Sequence, residues 1–393
     1  MKAHETDIQL GADISITNGA ALAIEMGTGV ITLEGNGHTI NMGKSSFEVQ
    51  PDGRTDSGMH FKNVTLLNGG RYGLFGGPSA PVTFENVTTN GEALGHSNKV
   101  RFIGKNNFTI SQLNGEGQSF LVSSYWSGDN NGYIDVQPGA TVDVQATIPL
   151  NYSGFWMPHT SRFTIGENAS FKFNGGISGD AIIKGEGVPI SIDIAKGGTL
   201  ELNSPSDRPA IKSPSSCNIN VANGGTLKAT TASTDSVINV GSGPTGGQFN
   251  FESGANFDIK NLSASGTAIK HGTLNFHGND LSVWGVGQAS APTPNAQAAA
   301  VSNTVTQSGG VTTSASTTAP NINSYMLANK VSHIKGEGKN LIEGSIAASG
   351  NNDPGTEIQQ SVASSVAGSL DNQASMLDSV IQSVRASMVS DYR

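Results

Sequence analysis

Three lysines recur at intervals that a repeating fold would turn into a line of positive charge. Lys184, Lys212 and Lys270 end the short apolar runs AIIK, PAIK and TAIK. The second interval is about twice the first, and Asn239 stands at the intervening position. Ammonium groups in a row on one face suit a polymer that carries carboxylates, such as a polyuronate. The alternative is that these lysines only solubilise the outer face of a strand.

Aromatic and arginine side chains form a second group with binding chemistry. Sugar rings stack on exposed aromatic faces, and a guanidinium binds a carboxylate with two hydrogen bonds. Trp156 precedes Lys184 by the same interval that separates Lys184 from Lys212, so Trp156 and Lys184 are expected to share one face. The alternative is that the large aromatics fill the core. Together with the lysines, the candidate ligand-binding residues are Lys184, Lys212, Lys270, Trp126, Trp156, Arg162, Arg71 and Tyr72.

Self-similar segments position these side chains. Each is a short run of alternating apolar and polar residues, a Gly/Asn corner and a second alternating run. The apolar residues after the corners are Val142, Phe171, Leu200, Leu227, Phe257 and Leu281, and those before the corners are Ile134, Phe163, Ile192, Ile219, Phe249 and Leu274. Both sets advance in nearly equal steps, within the period of roughly 20–50 residues that is typical of solenoid folds.

A third apolar run fills each gap between these pairs, as AIIKG does at 181–185. Three short strands per period predict one rung of an all-β, right-handed parallel β-helix, in which alternate side chains stack inward. The corner EGNG at 34–37 fits this fold, because Gly and Asn tolerate the left-handed backbone. Asn63 and Asn86 are expected to stack at equivalent corners.

Composition divides the chain into three parts. We expect a β-helix over residues 7–285 and a disordered Ser/Thr/Ala/Pro-rich linker over 286–323. A mainly helical segment is expected over 324–393, where apolar residues recur at i, i+4 and i+7. This helix would cap the solenoid or pair with another chain.

Charge and apolar content exclude several classes of partner. The net charge of −9 disfavours a nucleic acid. No run approaches the ~18 apolar residues that span a bilayer, so no membrane insertion is expected. The single cysteine, Cys217, leaves no intrachain disulfide and no cysteine-based zinc site. The start, MKAHETD, lacks the apolar core of a signal peptide, so either the protein stays inside the cell or the sequence is a fragment of a longer chain, and we expect the fragment.

The segments ITLEGNGHTINM and MHFKNVTLLNGG and the NGGTL corners resemble the pectate-lyase-like adhesive domains of Gram-positive, lactobacillus-type surface proteins. The resemblance covers the whole of the expected β-helix and implies an extracellular cell-surface adhesin that binds polysaccharide or glycoprotein glycans. The lysines favour an acidic glycan. A divergent polysaccharide lyase or hydrolase of the same superfamily, or a structural spacer, is the alternative, since one fold hosts many functions.

The residues of a lyase of that superfamily are not in place. Calcium needs six to eight oxygen ligands. Asp135 and Asp193 occupy equivalent positions, but Thr164 stands between them, which leaves the two carboxylates roughly 9–10 Å apart. Arg208 in SDRPAIK is similar to the Arg-Pro segment of pectate lyases, without its second arginine and neighbouring acids. The sequence shows no aspartate pair for hydrolysis. We therefore predict a non-catalytic protein without metal or cofactor.

Overall fold

The computed structural model describes residues 7–17, 22–24, 29–49, 58–70, 73–76, 80–92, 94–113, 119–122, 131–186, 188–241, 246–308, 311–312, 322, 325 and 330–338. The chain divides into two compact units, Met1–Lys339 and Asn340–Arg393, and the second lies outside these residues. Within the described residues, no helix has the length and apolarity needed to span a membrane.

Short strands account for most of the described chain. The first rungs contain β1 (Asp7–Gln9), β2 (Ile14–Ser15), β3 (Leu22–Ile24), β4 (Val30–Glu34), β5 (Thr39–Asn41), β6 (Phe47–Val49), β7 (Gly58–Lys62), β8 (Thr65–Asn68), β9 (Phe75–Gly76), β10 (Val82–Glu85), β11 (Thr88–Gly91) and β12 (Gly95–His96). The middle rungs contain β13 (Lys99–Ile103), β14 (Lys105–Ile110), β15 (Ser119–Val122), β16 (Gly132–Val136), β17 (Thr141–Leu150), β18 (Ser153–Met157), β19 (Thr160–Ile165), β20 (Ser170–Ile177) and β21 (Ile183–Gly185). The last rungs and the C-terminal strands are β22 (Ile190–Ile194), β23 (Thr199–Asn203), β24 (Ile211–Ser213), β25 (Cys217–Val221), β26 (Thr226–Thr231), β27 (Ser236–Val240), β28 (Gly247–Phe251), β29 (Asn256–Asn261), β30 (Thr267–Ile269), β31 (His271–Gly285), β32 (Ala296–Ser308), β33 (Val311–Thr312) and β34 (Val331–Gly338).

Every third strand pairs in parallel, so that three stacks of strands run along the molecule. Stack 1 begins β1–β4–β7 and ends at β31, and stack 2 begins β2–β5–β8 and ends at β29. Stack 3 is a separate 10-stranded sheet, from β3 to β30. The prediction of a parallel β-helix with three short strands per rung is confirmed.

The predicted repeat residues stack in register. Directly paired neighbours before the corners are Ile134, Phe163, Ile192, Ile219, Phe249 and Leu274. Directly paired neighbours after the corners are Val142, Phe171, Leu200, Leu227 and Phe257. All of them are buried. Alternation along each strand therefore builds one continuous apolar core inside the three stacks.

Asparagines close the corners as expected. Asn36 and Gly37 have φ values of 52° and 82°, which lie in the left-handed region of the backbone. Glycine adopts this region easily, asparagine adopts it occasionally, and most other residues rarely do. One rung apart, Asn86 Nδ2 donates to Asn63 Oδ1 at 3.1 Å. Asn86 Oδ1 also accepts the backbone N–H of Lys105 at 2.9 Å. The corner in the EGNG stretch therefore has a structural role in the turn rather than a catalytic one.

The last rung departs from the repeat because strands from the C-terminal part pair with it. β32 runs antiparallel to β31, and β34 lies between β29 and the second half of β31. Leu281 consequently faces Gly336 rather than Phe257. A Cβ on Gly336 would lie 2.0 Å from the Phe257 ring, so only glycine fits where β34 crosses that ring.

The charges on the outer face of stack 2 explain the register of β34. Consecutive paired positions alternate in sign along Asp143, Lys172, Glu201, Lys228, Asp258 and Lys335. Lys335 of β34 continues the series opposite Asp258. Opposite charges directly across a ladder are favourable, and like charges are not. A shift of β34 by one residue would also move Gly336 from its position opposite Phe257.

These strands differ from the domain prediction. Residues 296–308 form an extended paired strand where the disordered linker was expected, and residues 331–338 form a strand where a mainly helical segment was expected. The composition predicted disorder because this segment has few large apolar residues. β32 instead contributes small apolar side chains such as Ala298 and Val301 to the core. The expected helix over 339–393 lies outside the described residues and stays a prediction.

Candidate functional site

Stack 3 carries Lys184 and Lys212 at directly paired positions in adjacent rungs. Trp156 pairs with Lys184, Lys184 with Lys212, and Lys212 with Asn239. Lys270 directly follows β30, the last strand of the stack. We call Lys184, Lys212 and Lys270 the lysine column. Trp156 and Lys184 lie on one face, as their spacing in the sequence indicates.

Lys184 lies at the centre of a dense polar contact. Its Nζ donates to Tyr152 Oη and lies 3.2 Å from both Asp180 Oδ2 and Glu186 Oε2. Burial would lower the pKa of Lys184, but the hydrogen bonds to Tyr152, Asp180 and Glu186 outweigh it and raise the pKa to about 12. Only 13% of the side chain is exposed. The Lys184 ammonium is therefore charged at neutral pH and contacts three polar side chains at once.

Two aromatic rings lie against the Lys184 ammonium. The Tyr152 and Trp156 ring centres are 5.0 Å apart at an interplanar angle of 67°. Lys184 Nζ lies 4.3 Å from the Tyr152 ring centre and 5.8 Å from that of Trp156. Trp156 Nε1 donates to Glu186 at 2.7 Å. Trp156 is half-buried, so part of its ring is exposed while its polar edge is held in place.

A cleft of about 260 Å³ opens beside the other members of the column. Carboxylates from three successive rungs line it, at Asp180, Asp207 and Asp235, together with the cations Arg208 and Lys212. We call this the aspartate cleft. It is concave, and most of the side chains that line it are polar or charged hydrogen-bonding groups.

The lysines and the cleft carboxylates pair with one another. Lys212 Nζ lies 2.5 Å from Asp180 Oδ1, and Lys270 Nζ lies 2.8 Å from Asp235 Oδ1. Asn239 Nδ2 also donates to Asp235 at 2.8 Å. The column is therefore not the line of free positive charge that the sequence predicts.

Arg208 reaches the same cleft from an exposed corner. Its Nε donates to the Ser178 carbonyl at 3.2 Å and its Nη1 to the Asp207 carbonyl at 2.9 Å. A guanidinium has five N–H groups, so donors remain for a ligand. Arg208 thus lies beside the carboxylates that line the aspartate cleft.

Two of the carboxylates hold their charge firmly. Burial would raise the pKa of Asp180, but hydrogen bonds from Lys212 and Lys184 outweigh it and place the pKa below its ordinary value. The backbone and side-chain donors of Thr234 likewise lower the pKa of Asp207. Both groups are anionic acceptors at neutral and mildly acidic pH.

The sequence analysis did not predict these aspartates as site residues, although their spacing indicates a repeat. Asp180, Asp207 and Asp235 follow one another at nearly equal intervals, close to the rung period. They precede the third strand of each rung rather than lying within a strand. Corner residues change offset by one between rungs, which hides the repeat in a strict alignment.

The remaining predicted residues lie elsewhere. Arg162 is exposed on β19 in stack 1, not on the face of Trp156, and its guanidinium carbon is 5.9 Å from the Tyr133 ring centre. Arg101 approaches the same ring to 5.8 Å. The predictions for Trp126, Arg71 and Tyr72 fall outside the described residues.

The acidic residues that the sequence singled out in stack 1 remain separated. Asp135 pairs with Thr164, which pairs with Asp193. Across the described part of the chain, no group of three or more His, Cys, Asp or Glu side chains is placed to hold a metal ion.

Comparison with known proteins supports the resemblance. Residues 2–96 match the family model "Putative pectate lyase-like adhesive domain". A solved structure described as "L. reuteri 53608 SRRP" is similar over 64% of this chain and 92% of its own, with 18% identity and a TM-score of 0.49. Likeness at that level carries no function from one protein to another. No curated protein matches the chain.

Proposed function

We propose that the chain is a non-catalytic adhesin module that acts at the cell surface and binds polysaccharide or glycoprotein glycans through the outer face of stack 3. The observation that carries this proposal is the aspartate cleft, in which charged donors and acceptors from three rungs converge beside the lysine column. The match of residues 2–96 to an adhesive-domain model supports the same function.

The cleft chemistry favours binding over glycoside hydrolysis. A hydrolase needs one carboxyl group that keeps its proton to protonate the leaving oxygen, which requires a raised pKa. The pKa values of Asp180 and Asp207 are lowered instead. These two carboxylates can accept hydrogen bonds from a sugar but are poor proton donors to it.

We expect the protein to be retarded in native gels that contain its glycan, and the cleft variant Asp207→Ala/Lys212→Ala to lose this retardation. Removing a hydrogen bond to a charged group typically costs about tenfold or more in affinity. Affinity electrophoresis against a panel of plant and mucin glycans measures the shift. Asp143→Ala/Lys172→Ala, which removes one charge of each sign from stack 2, is the matched control. Equal retardation of both variants would move binding away from this face, and no retardation by any glycan would favour the spacer.

We also expect no cleavage of polygalacturonate, with or without added calcium. The carboxylates at Asp135 and Asp193 are not in adjacent rungs, and Asp180 and Asp207 stay ionised because their pKa values are lowered. Ultraviolet absorbance of unsaturated products and a reducing-end assay measure elimination and hydrolysis separately. If ultraviolet absorbance showed unsaturated product and Arg208→Ala abolished it, the chain would be a lyase with Arg208 as its base.

A further inference from the structure

The balance of charge in the aspartate cleft limits which sugars it can accept. Three aspartates line it, and each already has a nearby cation: Lys184 and Lys212 for Asp180, Lys270 for Asp235 and Arg208 for Asp207. The whole chain carries −9. A uronate entering the cleft would bring a fourth carboxylate to this group, and like charges in close contact disfavour binding.

The two cations of the cleft are already engaged. Lys212 pairs with Asp180, and Arg208 directs two N–H groups to backbone carbonyls. A uronate carboxylate bound to Lys212 would share its ammonium with Asp180, a carboxylate whose side chain is only 22% exposed. Two carboxylates on one ammonium lie close together, and this like-charge contact disfavours binding.

Neutral hydroxyl groups fit the same atoms without this cost. A hydroxyl donates one hydrogen bond and accepts others. It can donate to the exposed carboxylate of Asp207 while it accepts from the remaining N–H groups of Arg208 or from Lys212. Neighbouring hydroxyls of one sugar ring would meet donors and acceptors from successive rungs, which are separated by ~4.8 Å.

The volume of the cleft sets the size of the ligand. About 260 Å³ is below the ~300–1,000 Å³ of pockets for drug-sized molecules. One sugar ring fits this space, with the rest of a chain lying along the open face toward Trp156.

We propose that the aspartate cleft is a subsite for a neutral sugar ring and that it discriminates against uronates. This inference rests on the proposed function and deepens it by naming the ligand class. The expectation of an acidic glycan came from lysines treated as free cations, whereas the structure pairs Lys212 and Lys270 with aspartates.

The test is affinity electrophoresis of the whole chain in gels of a neutral galactan, a neutral glucan, a neutral mannan and polygalacturonate at equal concentration. We expect retardation by at least one neutral glycan and at least tenfold weaker retardation by polygalacturonate. Asp207→Asn/Asp235→Asn should lose about tenfold or more on the neutral glycan and gain on polygalacturonate, because two negative charges leave the cleft. Asp143→Asn/Asp193→Asn, on stacks 2 and 1, is the matched control and should change neither.

The outcomes separate the inference from the function. Stronger retardation by polygalacturonate than by every neutral glycan would overturn the inference and leave the adhesin function standing. Retardation by a neutral glycan that survives Asp207→Asn/Asp235→Asn would overturn the assignment of the cleft. No retardation in any of the four gels would overturn the inference, and failure across the wider glycan panel would then count against the proposed function as well. Thermal unfolding of each variant shows whether the fold is retained.

Discussion

Replacing Phe171 with alanine is expected to lower the free energy of unfolding by about 3–5 kcal/mol, the usual cost of removing a fully buried phenylalanine. Phe171 lies in stack 2 and is 0% exposed. Its ring contacts Phe163 of stack 1 at 5.3 Å and Phe155 of stack 3 at 5.4 Å between ring centres. It also approaches Phe102 at 6.3 Å. One side chain therefore joins all three stacks, and its loss leaves a cavity that no single stack can close.

Guanidinium denaturation followed by tryptophan fluorescence measures this loss. Leu262→Ala, at a site that is 50% exposed, is the control and should stay within about 0.5 kcal/mol of the wild type. In a solenoid each rung contacts only its neighbours, so the variant should also open locally around β20 before the whole chain unfolds. A loss below about 1 kcal/mol would show that the interior is less tightly packed than the structure has it.

The second large effect concerns β34, the strand that pairs with β29 and β31 in the last rung. His333 of β34 is 6% exposed and stacks on Trp284 with ring centres 4.0 Å apart. Its Nε2 lies 2.7 Å from Asp258 Oδ1, and its Nδ1 lies 3.0 Å from the Ala289 carbonyl. Both partners are acceptors, so both hydrogen bonds form only when the ring carries a proton on each nitrogen. His333→Ala is expected to cost about 1.5–3 kcal/mol locally, the range for hydrogen bonds to charged groups.

Hydrogen exchange measured by mass spectrometry reports this effect segment by segment. β34 and the second half of β31 should exchange at least tenfold faster in His333→Ala, while β16–β28 should be unchanged. Lys330→Ala, an exposed position just before β34, is the control. Equal exchange in the two variants would show that backbone pairing alone holds the strand.

Acid should loosen the same contact in the wild type. Burial would raise the pKa of Asp258, but its hydrogen bond to His333 and the nearby Lys335 and Lys260 outweigh it, so the folded pKa lies below its ordinary value. A carboxyl with a lowered folded pKa stabilises the fold above its unfolded pKa, and that contribution is lost as the pH falls through the folded value. The difference between wild type and His333→Ala should therefore shrink below about pH 4.

The sequence alone determined the repeating part of this protein. Alternation fixes which side chains face inward, and a regular period fixes which of them stack, so Phe163, Ile192 and Ile219 could be paired without coordinates. Asn and Gly mark the corners because few other residues adopt positive φ. The alignment of Trp156 with Lys184 follows from the same period.

Only the tertiary structure decided what surrounds those side chains. Asp180 meets Lys212 across 32 residues because a corner turns the chain toward the next rung, and the path of a corner is not encoded in strand alternation. β34 pairs with β29 in antiparallel register across 75 residues from Asp258 to His333, a contact with no periodic signal. Gly336 of β34 fits against the Phe257 ring, where a larger side chain would clash. This fit depends on Phe257, so neither the composition nor the local propensity of residues 331–338 indicates a strand. Long-range pairing of this kind is selected by the surface it covers rather than by its own sequence.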